Sequence, residues 1–114
     1  MRYAIPLIFA AGLAQADPPQ ITDVSMQKSG ASWRFSVTLE HPDTGWDHYA
    51  DGWRVLGPDG TEIGYRKLLH PHVNEQPFTR SLSGIDIPEG ATHLTIVPHD
   101  SVHGAGPAYR LELN

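Results

Sequence analysis

The chain has 114 residues, with 8 Lys and Arg against 13 Asp and Glu, a formal net charge of −5, and no cysteine. An acidic chain without Lys/Arg clusters is a poor match for nucleic acid or for anionic membrane surfaces. The lack of cysteine excludes disulfides, thiolate metal sites and cysteine nucleophiles, so the fold must be held by its core alone.

Residues 1–16 read as a secretory signal peptide: Arg2 at the start, an apolar run from Ala4 to Leu13, and Ala14-Gln15-Ala16 as a small-x-small cleavage pattern before Asp17. The apolar run is shorter than the roughly 20 residues a bilayer-spanning helix needs. Without Arg2, 7 basic and 13 acidic residues remain, a net charge of −6 for residues 17–114. These residues contain no apolar segment long enough to span a membrane, and the expected destination is the periplasm or the exterior.

Beyond the signal, short runs of β-type residues alternate with turn signals about every ten residues, the pattern of a sandwich or barrel. Gln20–Gln27 leads to a turn at Lys28–Ala31. Ser32–Leu39 then alternates cleanly, with Trp33, Phe35, Val37 and Leu39 on one face and Arg34, Ser36 and Thr38 on the other; period-two alternation marks a half-buried strand. A polar stretch from Glu40 to Ala50 precedes a strand at Gly52–Leu56. Pro58-Asp59-Gly60 turns into Thr61–Leu69. The polar run His70–Gln76 leads to Pro77–Ile85, and Pro88-Glu89-Gly90 turns into Thr92–Val97. An irregular stretch, Pro98–Pro107, precedes the last strand, Ala108–Leu113. No helical periodicity, repeat or linker stands out.

Seven strands in one domain, residues 17–114, suit an all-β immunoglobulin-like sandwich. The opening PPQITDV and the segment IDIPEGATHLTIVP resemble the first strand of a fibronectin type III domain and its turn into the penultimate strand. The aromatic corner of that family is missing, with His93 and Leu94 near its place. The segments HPDTGWDHYADGW, HPHVNEQPFTRSL and HDSVHG resemble a group of small exported bacterial proteins of uncharacterised role. That resemblance implies export and a single domain, and fold analogy assigns no activity.

If consecutive antiparallel strands reverse direction, their connections alternate between the two ends of the sandwich. The economical turns then share one end. The three long connections share the other, and they carry His41 and His48, His70 and His72, and His99 and His103. Loops on a rigid sandwich are where binding residues tend to lie. Asp43, Asp47, Asp51, Glu75 and Asp100 come from the same loops, as do Trp46, Tyr49 and Trp53.

His70-Pro71-His72 is the most metal-like spacing, because residues i and i+2 of an extended segment project to one side and proline stiffens the backbone. His99 and His103 are expected to close the site from the neighbouring connection. His48 and His41 are weaker candidates, with Asp47 and Asp51 orienting His48 as carboxylates behind a ligand. Imidazole with carboxylate suits Cu(II), Zn(II) or Ni(II), and copper or zinc is the expected cofactor. The competing reading makes these histidines ordinary members of a hydrogen-bonded loop network, or polar contacts to another exported protein or a cell-envelope component. Arg80 is expected to pair with a loop carboxylate such as Asp47 or Asp51, Trp53 to be core, and Trp46 and Tyr49 to staple the loop over it, with ligand binding as their alternative role. No catalytic motif is present, and Asp100, Ser101 and His103 lie too close in sequence to act as a triad, so the protein is not expected to be an enzyme.

Overall fold

The computed structural model describes residues 18–113; the expected signal peptide, residues 1–16, lies outside them. The described residues form an all-β structure: β1 (Gln20–Ser29), β2 (Ser32–Glu40), β3 (Ala50–Leu56), β4 (Glu62–Lys67), β5 (Phe78–Ile85), β6 (His93–Asp100), β7 (Gly104–Ala105) and β8 (Tyr109–Glu112). One sheet has the order β1-β2-β5. The other runs β4-β3-β6-β7, with β8 also pairing β6. All pairings are antiparallel.

The two sheets enclose one core. β2 contributes Phe35, Val37 and Leu39, facing Trp53 and Val55 of β3 and Leu94 and Ile96 of β6. Each such side chain adds about 1.5–3 kcal/mol of burial free energy, which fixes the register of β2, since a one-residue slip would turn this face to water. Gly64 of β4 permits the close approach of the sheets near their edge: a Cβ there would lie 3.1 Å from Ile85 and 3.2 Å from Leu82. On the outer face, Ser36 bonds Ser81 at 2.8 Å and Thr38 bonds Thr79 at 2.7 Å across the β2–β5 ladder.

Eight strands are formed where seven are expected, and the difference lies in the third long connection. Pro98 reads as the end of a strand, yet β6 continues to Asp100. Pro98 gives up one ladder donor but sits buried opposite Trp53, and pairing resumes beyond it at Gly52↔His99 and Ala50↔Asp100. β7 then folds back on the same segment at Ala105 and Gly104, and the Gly106 amide donates to the Pro98 carbonyl at 2.8 Å.

The short connections β1–β2, β3–β4 and β5–β6 share one end of the sandwich. The long connections, 41–49, 68–77 and 101–108, share the other. Two strands carry their alternation past the point where polar sequence begins. Past the end of β2 the inward set Phe35, Val37, Leu39 is continued by His41 and Asp43, all buried, with the Asp43 amide turned back onto the His41 carbonyl at 2.7 Å. In β6 the set Leu94, Ile96, Pro98 extends to Asp100. Strand β6 and the tight turn after β2 thus deliver two carboxylates and an imidazole into the top of the core.

Candidate metal centre

His41 is completely buried, and both its backbone and its ring are tied to neighbouring segments. Its amide donates to Gln76 Oε1 at 2.9 Å. Its Nδ1 lies 2.5 Å from Asp43 Oδ1. Asp43 is itself held by two amides, Ala50 to Oδ1 at 3.0 Å and His72 to Oδ2 at 2.8 Å. Gln76 Nε2 completes the circuit by donating to the His72 carbonyl at 2.8 Å. A closed ring of hydrogen bonds therefore joins residues 41–43 to residues 72–76.

The Asp43 carboxylate only accepts, so it selects the tautomer with hydrogen on His41 Nδ1. The lone pair is left on Nε2, which is buried, has no hydrogen-bond partner among the described residues, and lies 3.3 Å from Asp100 Oδ2. Two acceptors facing each other inside a protein repel unless a cation lies between them, whether a proton on the ring or a metal ion.

Asp100 is fully buried and surrounded by donors. Its Oδ1 accepts the amides of Val102 and His103 at 2.8 and 2.5 Å. Its Oδ2 faces His48 Nε2 at 3.3 Å and His103 Nδ1 at 3.1 Å. Burial raises the carboxyl pKa, but the bonds from the His103 amide and ring, the Val102 amide and the His48 ring outweigh it and hold Asp100 well below the usual carboxylate range. His48, placed by a bridge to Gly45, packs edge-on against His41 at 4.7 Å and against His103 at 4.9 Å between ring centroids.

His41, His48 and Asp100 each offer a donor atom, and these atoms lie within 4.8 Å of one another. A tetrahedral ion with bonds of 2.0–2.1 Å puts its ligand atoms about 3.3–3.4 Å apart. The two contacts of Asp100 Oδ2, to His41 Nε2 and to His48 Nε2, are both 3.3 Å. Behind His41, Asp43 supplies the carboxylate partner that metal-ligating histidines commonly have. This group could hold a metal ion.

The six histidines lie at the same end but do not form one set. The favoured quartet, His70, His72, His99 and His103, is dispersed. His72 Nε2 receives a hydrogen bond from Arg80 Nη2 at 2.8 Å. Because arginine only donates, that bond occupies the ring's lone pair. The His72 ring also stacks on Phe78, with centroids 3.9 Å apart and planes at 14°. Burial first, then Arg80 and His70, lower its pKa. His72 is thus built as a neutral packing residue. His70 is exposed, 5.1 Å from His72 between ring centroids, and is outside the His41–His48–Asp100 group. His99 alternates with Asp100 and so faces outward, paired with Asp51 Oδ1 at 2.5 Å. Of the quartet only His103 touches the group, through Asp100 and His48. The weaker candidates, His41 and His48, are the ones that converge.

Two further expectations change. Arg80 pairs with His72 and, at 3.5 Å, with Glu75, rather than with Asp47 or Asp51; Asp51 is engaged by His99, and Asp47 is exposed. Trp53 is core at 0% exposure, but Trp46 is 66% exposed and packs against Tyr49 rather than over the core. Asp43 was absent from the expected ligand and support residues. The signal that could have found it is parity: the inward alternation of positions 35, 37 and 39 is continued in burial at 41 and 43, although β2 itself ends at Glu40.

No family model and no solved structure matches the chain. The chain is 46% identical over 87 residues to a protein of Halomicrobium mukohataei named "Putative lipoprotein", an alignment covering 75% of this chain and 42% of that protein. The chain therefore spans less than half the length of this relative. No helix among the described residues is long and apolar enough to cross a membrane.

Proposed function

We propose that this is an exported, non-enzymatic β-sandwich protein that binds one divalent transition-metal ion through His41, His48 and Asp100. The observation that carries this reading is the buried, unpartnered Nε2 of His41 facing a buried carboxylate. A purely structural network would place a hydrogen-bond donor there. The donor set of two imidazoles and one carboxylate suits Cu(II) or Zn(II), and the lack of thiolate or nearby thioether disfavours Cu(I). Three protein ligands leave a tetrahedral ion one further position. Carriage or buffering of metal fits this arrangement.

Export rests on the pattern of residues 1–16 and on the name of the relative. The division of strands into β1-β2-β5 and β4-β3-β6-β8 supports the fibronectin type III-like reading of the domain, residues 17–114. The alternative, a module that recognises another exported protein, draws support from the exposed Trp46, Leu69, Val73 and Val102 in the three long loops.

Calorimetric titration of metal-free protein with Cu(II) and Zn(II) tests the metal reading. A genuine site stabilises the fold by RT ln(1 + [metal]/Kd), about 2.7 kcal/mol at a hundredfold excess over Kd. His41→Gln and His48→Ala should remove this gain. The reading fails if neither ion produces heat or a shift in unfolding temperature.

A further inference from the structure

The segments around the metal centre also wall an open groove. One side is Trp46. The other is His70, Pro71 and Val73, continued by Asn74 and Glu75. Trp46 is 66% exposed, yet its ring is oriented: it packs edge-on against Tyr49, with centroids 5.5 Å apart and planes at 73°. An indole held out in water forgoes its burial free energy, and this one, with Pro71 and Val73, gives the groove its apolar wall.

The chemistry of the rim selects the ligand. The three long loops, 41–49, 68–77 and 101–108, contain no Lys or Arg. Arg80, behind the wall, is spent on the Thr79 carbonyl, His72 Nε2 and the Glu75 carboxylate. An anionic ligand therefore meets no unpaired Lys or Arg at the groove. A lipid tail is equally mismatched, because the apolar wall is one ring, a proline and a valine in a shallow, open trough. A flat apolar face flanked by a carboxylate and an amide instead complements a pyranose ring, which has an apolar C–H face and a rim of hydroxyls. An open groove admits a chain of such rings, whereas small-molecule sites are normally enclosed.

We propose that this groove binds a neutral polysaccharide chain, with one sugar ring stacked on Trp46 and its hydroxyls bonded by Asn74 and Glu75. This assignment is independent of the metal centre, which lies on the buried side of the same loops.

The test is titration of the folded protein with four soluble neutral tetrasaccharides, those of glucose, N-acetylglucosamine, xylose and mannose in β-1,4 linkage. It is followed by tryptophan fluorescence and by calorimetry. At least one should bind, and Trp46→Ala should weaken it about tenfold or more while keeping the wild-type unfolding temperature and metal response, since the indole is exposed. Asn74→Ala should weaken it less. Absence of binding by all four up to about 10 mM, or binding unaffected by Trp46→Ala, overturns the proposal. His41→Gln keeps the two readings apart: it should abolish the metal response and leave sugar binding in place.

Discussion

Asp43 grips His41 by its ring, Oδ1 to Nδ1 at 2.5 Å, and so decides which nitrogen of that histidine faces Asp100. The same carboxylate caps the amides of Ala50 and His72, so one side chain sets both the ligand and the loops around it. Asp43→Asn keeps the shape but turns an –NH₂ toward groups that are themselves donors. We expect a loss of about 1–3 kcal/mol in stability, the usual cost of a buried donor left unsatisfied. Metal affinity should fall about 10–100-fold, as for other lost carboxylate partners of ligating histidines. Urea unfolding and competitive metal titration measure the two effects separately.

Arg80 and His72 form a unit that supports the loops without joining the His41–His48–Asp100 group. Arg80→Met leaves His72 Nε2, now inside the fold, without its donor. The expected cost is about 1–3 kcal/mol in unfolding free energy, with unchanged metal affinity in the folded protein. His70→Ala should alter neither quantity. If either substitution weakens metal binding as strongly as His48→Ala, the ion sits over the His70–Pro71–His72 segment instead.

Much of the sandwich was legible because it depends on local alternation. Phe35, Val37 and Leu39 point inward as their spacing demands, and the reversal of direction at each turn gathers the six histidines at one end. The particular ligands were not legible, for two physical reasons. Pro98 looks like a strand terminator, but a β-strand can lose one ladder donor when its neighbours on both sides stay paired, so Asp100 faces the core instead of belonging to a loop. His41 and Asp43 follow Leu39 in polar sequence beyond the end of β2, yet a tight turn at Pro42, closed by the Asp43 amide on the His41 carbonyl, keeps both side chains buried. The His70–Pro71–His72 spacing was misleading because nothing in a local motif reveals that an arginine eight positions on will occupy the ring nitrogen.

Metal binding should be visible in the amides that the two carboxylates hold. His72 and Ala50 donate to Asp43, and Val102 and His103 donate to Asp100. An ion that joins His41, His48 and Asp100 stabilises every state in which these bonds are closed. At a hundredfold excess over Kd, hydrogen exchange through opening of this unit should slow about a hundredfold. Gly57 and Ala91, whose amides close turns at the opposite end, exchange by local fraying and should be unaffected. Equal slowing at both ends would mean that the ion acts on global unfolding alone; slowing at neither would remove the proposed ligands.

Acid should weaken the fold in two steps with the same sign. The His72 pKa is lowered by burial, with Arg80 and His70 adding to it. The unfolded chain therefore takes up this proton first, below its ordinary value of about 6.5. The stability linked to keeping His72 neutral is complete above that value and is lost as pH falls toward the folded-state value. Asp100 behaves alike in a lower window: its network holds the folded-state pKa below the unfolded value of about 3.9, so its contribution is present above about pH 4 and disappears on further acidification. Urea midpoints measured across the range from pH 8 to pH 3 should show both declines. His72→Gln, which keeps an acceptor for Arg80 but cannot titrate, should flatten the upper one, and Asp100→Asn the lower one. Should His72→Gln retain the upper decline in full, the proton responsible belongs to another histidine of the same end, and the Arg80–His72 bond is not what keeps that ring neutral.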